Sequence, residues 1–137
     1  MSAVLDASIA VAALSPDEQG EFSATHLALL MLPRLVVPPI WALEVMHVFR
    51  RKVLRGAITQ AAADQALETL AFMAVQTLDL PAAHCFEAIE RLSRRHRLNP
   101  YDASYLDAAI RTGLPLATLD QALTTAARLE GIPLLPD

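Results

Sequence analysis

The sequence predicts an α/β domain in which a central parallel sheet is covered by helices on both faces, a three-layer α/β/α arrangement. Two observations lead there. Short β-type runs alternate with longer helical ones, and each β-type run is too uniformly apolar to keep one face in water. The 137 residues suit one domain with a real core, residues 1–137, and are too few for two ordinary ones.

The elements follow in order. SAVLD at the start reads as the first strand, a helical stretch runs to about Leu32, and RLVVP is the second strand. Pro38 and Pro39 stop that strand and open the helix IWALEVMHVFRRKVLRG, because proline suits the first helical turn, and Gly56 closes it as a C-cap. On this helix Ala42, Met46, Phe49 and Val53 make the best core face, with Glu44 on the side of His47, Val48 and Arg51. ITQAAADQALETLAFMA is the next helix, with Thr59 as N-cap, and VQTLDL the third strand. PAAHCFEAIERLSRRH and DASYLDAAIRTG, the latter ended by Gly113, are two further helices. LPLATLD, QALTTAARLEG and IPLLP complete the chain as strand, helix and short strand.

Composition narrows the function classes. A net charge of -4 argues against binding nucleic acid through overall positive charge and directs attention to local patches. The 54% hydrophobic content exceeds what a core of this size needs, so apolar surface is expected to meet a partner. The longest run without Asp, Glu, Lys or Arg, FSATHLALLMLP, is shorter than the roughly 20 residues of a spanning helix. No Lys or Arg precedes Arg34, so the basic start of a secretory signal is absent, and the single Cys85 cannot form an internal disulfide. A cytoplasmic setting is the expectation.

In an open parallel sheet, reactive groups gather where strands end and helices begin. Asp6 ends the first strand, Asp102 opens a helix after NPY, and Asp120 lies where the fourth strand gives way to a helix. Each is equally explained alone as a helix cap. In NPYDASYLDAAI the helical period puts Asp102 on the face of Tyr105, Leu106, Ala109 and Ile110, directed inward or to a cleft. Asp107 falls about 140° away and is expected outside, as a solvated partner of Arg111 at i+4. Glu44 has no Lys or Arg at i+3 or i+4, and periodicity alone would also allow it to be simply exposed.

Taken together, VLDAS, PPIWALEVMHVFRR, NPYDASYLDAAI and LATLD resemble the PIN-domain ribonucleases, particularly VapC-type toxins, over essentially the whole chain. The resemblance implies the PIN fold and an acidic site made of Asp6, Glu44, Asp102 and Asp120, with Ser8 and Thr118 as accessory polar positions; Ser8 reads equally as a capping hydroxyl. It also implies Mg²⁺ or Mn²⁺, with Asp6 and Asp102 as first ligands and Glu44 and Asp120 acting through water or a second ion. Crowded carboxylates with only oxygen donors agree with such hard ions. The implied activity is hydrolysis of RNA phosphodiester bonds, in transfer RNA or other structured or single-stranded RNA. The implied partners are a VapB-type antitoxin and a second copy in a homodimer.

Two basic clusters stand at helix ends: Arg50, Arg51, Lys52 and Arg55, and Arg91, Arg94, Arg95, His96 and Arg97. Arg50, Arg51, Arg94 and Arg95 are candidate contacts to RNA phosphates, although cations at helix C-termini are favoured by the helix dipole in any case. Glu44 and His47 make one E-x-x-H pair, too little for a di-iron bundle. Cys85 beside His84 reads as a packed thiol. Two other classes fit part of the pattern: a PIN-like RNA- or protein-binding module without catalysis, and a receiver-like phosphoacceptor. The receiver chemistry wants a lysine near the end of a late strand, and the one lysine, Lys52, is on an early helix.

Overall fold

A computed structural model describes residues 1–137. Five strands, β1 (Ser2–Leu5), β2 (Arg34–Val37), β3 (Val75–Thr77), β4 (Leu116–Ala117) and β5 (Leu134–Leu135), form one parallel sheet in the order β3-β2-β1-β4-β5. The register sets Val4 beside Val36 on one side and Leu5 beside Ala117 on the other. Ala3, Val4, Leu5, Val36, Leu116 and Ala117 are fully buried. Such apolar central strands are what a sheet covered on both faces requires, whereas the edge strand β3 departs from the expected uniform burial, with Gln76 and Thr77 exposed, and β5 at the other edge is only half-buried.

Between the strands lie α1 (Ala7–Leu14), a 3₁₀ turn (Pro16–Glu18), α2 (Ser23–Leu30), α3 (Trp41–Leu54) and α4 (Gln60–Ala71). Next come α5 (Ala82–His84), a π-type turn (Cys85–Ile89) and α6 (Glu90–His96), which run on without a break, then α7 (Pro100–Thr112) and α8 (Gln121–Leu129). α1 packs on α2 and α3, and α3 on α4, whereas α7 packs on α6 and α8. Right-handed crossovers place these two groups on opposite faces of the sheet. The chain leaves β1 toward β2 and returns from β3 to β4 on the other side, so the order reverses between β1 and β4. That is where an open α/β sheet has its crevice.

The expected caps act as such. Thr59 accepts from the Ala62 N–H at 3.1 Å, and Gly113 ends α7 at φ +69°, a left-handed conformation that costs glycine nothing.

Four expectations need correction. The helical stretch to Leu32 is three pieces, because Pro16 and Gly20 interrupt it. α7 opens at Pro100 with Asn99 as its cap, so Asp102 stands in its first turn rather than at its start. The buried face of α3 is Trp41, Val45, Phe49 and Lys52; Ala42 and Met46 are exposed and Val53 is half-buried. α3 is apolar over much of its circumference, so its period leaves more than one face open, and the face that is buried also holds Lys52, paired with Asp17 and Glu18.

Asp107 is the fourth. It is buried, and its carboxylate accepts from Arg111 Nε at 2.9 Å while lying 2.8 Å from His84 Nε2. The Arg111 pair exists but not in solvent: α7 is packed by the sheet and by the α5–α6 helix, and Ala103 through Ala109 are all buried. The receiver-like alternative also falls on topology, since that doubly wound class has the order 2-1-3-4-5.

Candidate active site

Asp6, Glu44, Asp102 and Asp120 line one cleft of about 410 Å³, together with Ser8, Glu18, Leu119 and a floor of Ala7, Val11 and Val48. Asp6 directly follows β1, Glu44 lies in the first turn of α3 after β2, and Asp120 caps α8 after β4. Asp102 enters from the first turn of α7. Four elements therefore deliver one carboxylate each to the carboxyl end of the sheet, at the switch between β1 and β4.

Each acid is held differently. Asp6 is the most buried, and its Oδ2 accepts from Ser8 Oγ at 2.6 Å and from Thr118 Oγ1 at 2.8 Å. The same two hydroxyls accept the backbone N–H groups of Leu119 and Asp120, both at 3.0 Å. The loop after β4 is thereby fastened to Asp6, so Ser8 and Thr118 fix the carboxylate and do not cap a helix. Asp120 does cap: its Oδ2 accepts from the Leu123 N–H at 2.8 Å. Asp102 uses its backbone N–H to satisfy Asn99 Oδ1 at 2.8 Å, and no hydrogen bond to its carboxylate is present.

Glu44 is anchored by a residue that sequence reading passed over. The hydroxyl of fully buried Tyr105 donates to Glu44 Oε1 at 2.6 Å, from α7 to α3. Burial and then the Glu44 bond hold the phenol far above its ordinary range, so it stays protonated as the donor. A signal existed, since an inward-facing tyrosine usually needs a partner for its hydroxyl. Glu18, from the 3₁₀ turn, was missed for a better reason: SPDEQG has no period to read.

Three of the four carboxylates, Asp6, Glu44 and Asp102, are raised by their surroundings. Asp102 is pushed up to about 6, by burial first and then by Asp120, Asp6 and Glu44. Burial raises Asp6, against the hydrogen bonds from Ser8 and Thr118, and Asp120 adds to the rise. Glu44 is raised by burial, opposed by the Tyr105 bond and reinforced by Asp6. Such crowding is relieved by protonation or by a shared cation. An all-oxygen donor set suits a hard divalent ion. No three of the carboxylates converge as a ligand set for one ion. On donor chemistry the residues fit such an ion.

The candidate phosphate contacts differ among themselves. Arg50 and Arg51 are exposed on the last turns of α3. Arg94 pairs with Glu90 at 2.7 Å, an exposed pair that holds a side chain only weakly, and exposed Arg95 lies 3.6 Å from half-buried Glu130. Lys52 leaves its cluster altogether: it is buried against Asp17 and Glu18. Cys85 is a half-buried free thiol, and no helix is long and apolar enough to cross a membrane.

Residues 3–129 match the PIN domain. No curated protein matches the sequence. Among solved structures the chain is similar to a Pyrobaculum aerophilum protein, with 22% identity over 98% of this chain and 92% of that one and a TM-score of 0.68. It is similar to Mycobacterium tuberculosis VapC20, a sarcin–ricin loop cleaving toxin, with 16% identity over 92% and 95% of the two chains and a TM-score of 0.66. FitAcB of Neisseria gonorrhoeae gives 18% identity over 98% and 96%, with a TM-score of 0.65. At these identities the likeness is one of fold.

Proposed function

The chain belongs to the PIN-domain family, and from that membership we propose that it is a metal-dependent endoribonuclease, the toxin of a VapBC-type toxin–antitoxin module. The observation that carries this reading is the gathering of four carboxylates in one cleft, where burial first and then the other three charges push Asp102 up to about 6. Asp6, Glu44 and Asp120 also make structural hydrogen bonds, but the carboxylate of Asp102 makes none, and like charges gathered in one cleft oppose folding.

In this reading Asp6 and Asp102 are the ligands of a Mg²⁺ or Mn²⁺ ion, and Glu44 and Asp120 hold its water or a second ion. The ion supplies an activated water and neutralises charge at a scissile phosphodiester. The protein's own part is geometric. Ser8 and Thr118 fix Asp6, Tyr105 fixes Glu44, and the α8 cap fixes Asp120. Such supporting bonds set the orientation and basicity of the groups they hold. Arg50, Arg51, Arg94 and Arg95 would take phosphates of a transfer RNA or other structured or single-stranded RNA.

The partners in this reading are a VapB-type antitoxin and a second copy of the chain, in the cytoplasm. Supporting a protein partner, Leu43, Phe86 and Tyr101 are exposed around an apolar groove of about 420 Å³, and Leu43 and Tyr101 directly precede Glu44 and Asp102 in sequence.

The test is to purify the protein free of antitoxin and incubate it with transfer RNA and with single-stranded RNA, adding Mg²⁺, Mn²⁺ or chelator. Cleavage with either ion and none with chelator is the expected outcome. Cutting that survives chelation contradicts the mechanism, and binding without cutting at any metal concentration would favour a non-catalytic binding module.

A further inference from the structure

Glu18 belongs to none of the four motifs, yet it lines the acid cleft. We propose that Glu18 is a fifth carboxylate of that site, hydrogen-bonded to the water shell of the divalent ion, and that Lys52 is its positioning residue. The proposal rests on the metal-dependent reading above.

Glu18 ends a three-residue 3₁₀ turn between α1 and α2, where a side chain has little local reason to keep one place. The turn is nevertheless pinned on both sides. Gln19 Nε2 donates to the carbonyls of Ala12, Ala13 and Ser15 at 3.3, 3.3 and 3.0 Å, which ties the turn to the end of α1. The hydroxyl of fully buried Ser15 donates to Asp17. Lys52 Nζ reaches in from α3, 2.9 and 2.8 Å from the two Asp17 oxygens and 2.6 Å from Glu18 Oε2.

The ammonium is placed unusually. The Lys52 side chain is only 5% exposed, and a buried charge persists only when paired. Desolvation works to lower its pKa, but the bonds to Asp17 and Glu18 outweigh that and leave it raised. Asp17, with both oxygens engaged, already forms a complete pair. The second acid does something the first does not: it sets a carboxylate on the rim of the cleft. An unneutralised fifth carboxylate would add repulsion where burial first and neighbouring charges second already raise three of the other four. Bonded to Lys52, Glu18 brings acceptor oxygen to the cleft lining while sharing one ammonium with Asp17, so its charge is offset only in part. That combination suits a group that accepts hydrogen bonds from metal-bound water and does not ligate the metal directly.

The experiment measures Mn²⁺ binding to the purified full chain by titration calorimetry, with the melting temperature of each variant alongside. Glu18→Gln and Lys52→Met should each weaken Mn²⁺ binding on the order of ten-fold, the scale of losing a group that orients a metal's ligands. Asp17→Asn, which keeps the Lys52–Glu18 pair, should lower the melting temperature and leave Mn²⁺ affinity unchanged. Wild-type affinity in Glu18→Gln overturns the proposal and reduces Glu18 to a partner of Lys52. Wild-type affinity in Lys52→Met alone removes the positioning role. Asp102→Asn in the same series separates this failure from a wider one, because only if it too binds Mn²⁺ normally does the four-carboxylate reading fall as well.

Discussion

Asp102 and Asp107 show how far two identical side chains on one helix diverge. Both face protein, but Asp102 looks across the cleft at three other carboxylates, whereas Asp107 lies between Arg111 and His84. Helical phase separated them correctly in kind and misplaced one in depth. The period of a helix says which residues share a face; it does not say that a second helix covers the opposite face. The expectation for Asp107 therefore changes from a neutral surface position to a structural one. Asp107→Asn should destabilise the protein by about 1–3 kcal/mol, the cost of leaving buried hydrogen-bonding groups badly matched, as read from denaturant unfolding. Cleavage per folded molecule should remain, and a lost activity with intact stability would place Asp107 in the site. Tyr105 and Glu18 mark the other limit of sequence reading. Their partners are 61 and 34 residues away in sequence, and no local pattern announces such pairs.

Among the elements, α7 carries the most, since it supplies Asp102, the Tyr105 anchor of Glu44 and the buried Asp107. Its start was displaced in the sequence reading because Asp102 was given the capping role that Asn99 performs. The strands and the caps Thr59 and Gly113 were legible because short apolar runs, a hydroxyl before a helix and a glycine after one each have a local physical cause. The core face of α3 was not, since its apolar residues surround it and a lysine stands in the face that is buried. Asn99→Ala should cost about 1 kcal/mol of stability. Because Asn99 accepts the N–H of Asp102 itself, the same change should reduce cleavage more than that stability loss explains. A matched Thr59→Ala, removing a cap far from the cleft in sequence, gives the comparison: equal effects of both on cleavage would mean that the α7 cap has no special hold on the site.

For the whole molecule, the cleft is a cost carried by a stable sheet. Asp102 binds its proton more tightly folded, at about 6, than at the ordinary 3.8. Its protonated form therefore favours the fold below pH 3.8, and that contribution is lost as the pH rises through about 6. The melting temperature of the metal-free protein should consequently fall, relative to that of Asp102→Asn, as the pH is raised from 4 to 7, and Mn²⁺ at neutral pH should raise it in wild type more than in the variant. Strand–helix alternation was legible in the sequence, but the switch between β1 and β4, and the convergence of four elements on it, depended on the strand order. The most direct measurement of the central claim is RNA cleavage by Asp102→Asn beside its metal-free stability at neutral pH. A functional carboxylate that opposes folding should give a variant at least as stable as wild type and at least about 100-fold slower, the scale of losing one charge-stabilising group from an active site. A variant that is less stable and still cuts RNA at the wild-type rate would show that Asp102 serves the fold and not the chemistry.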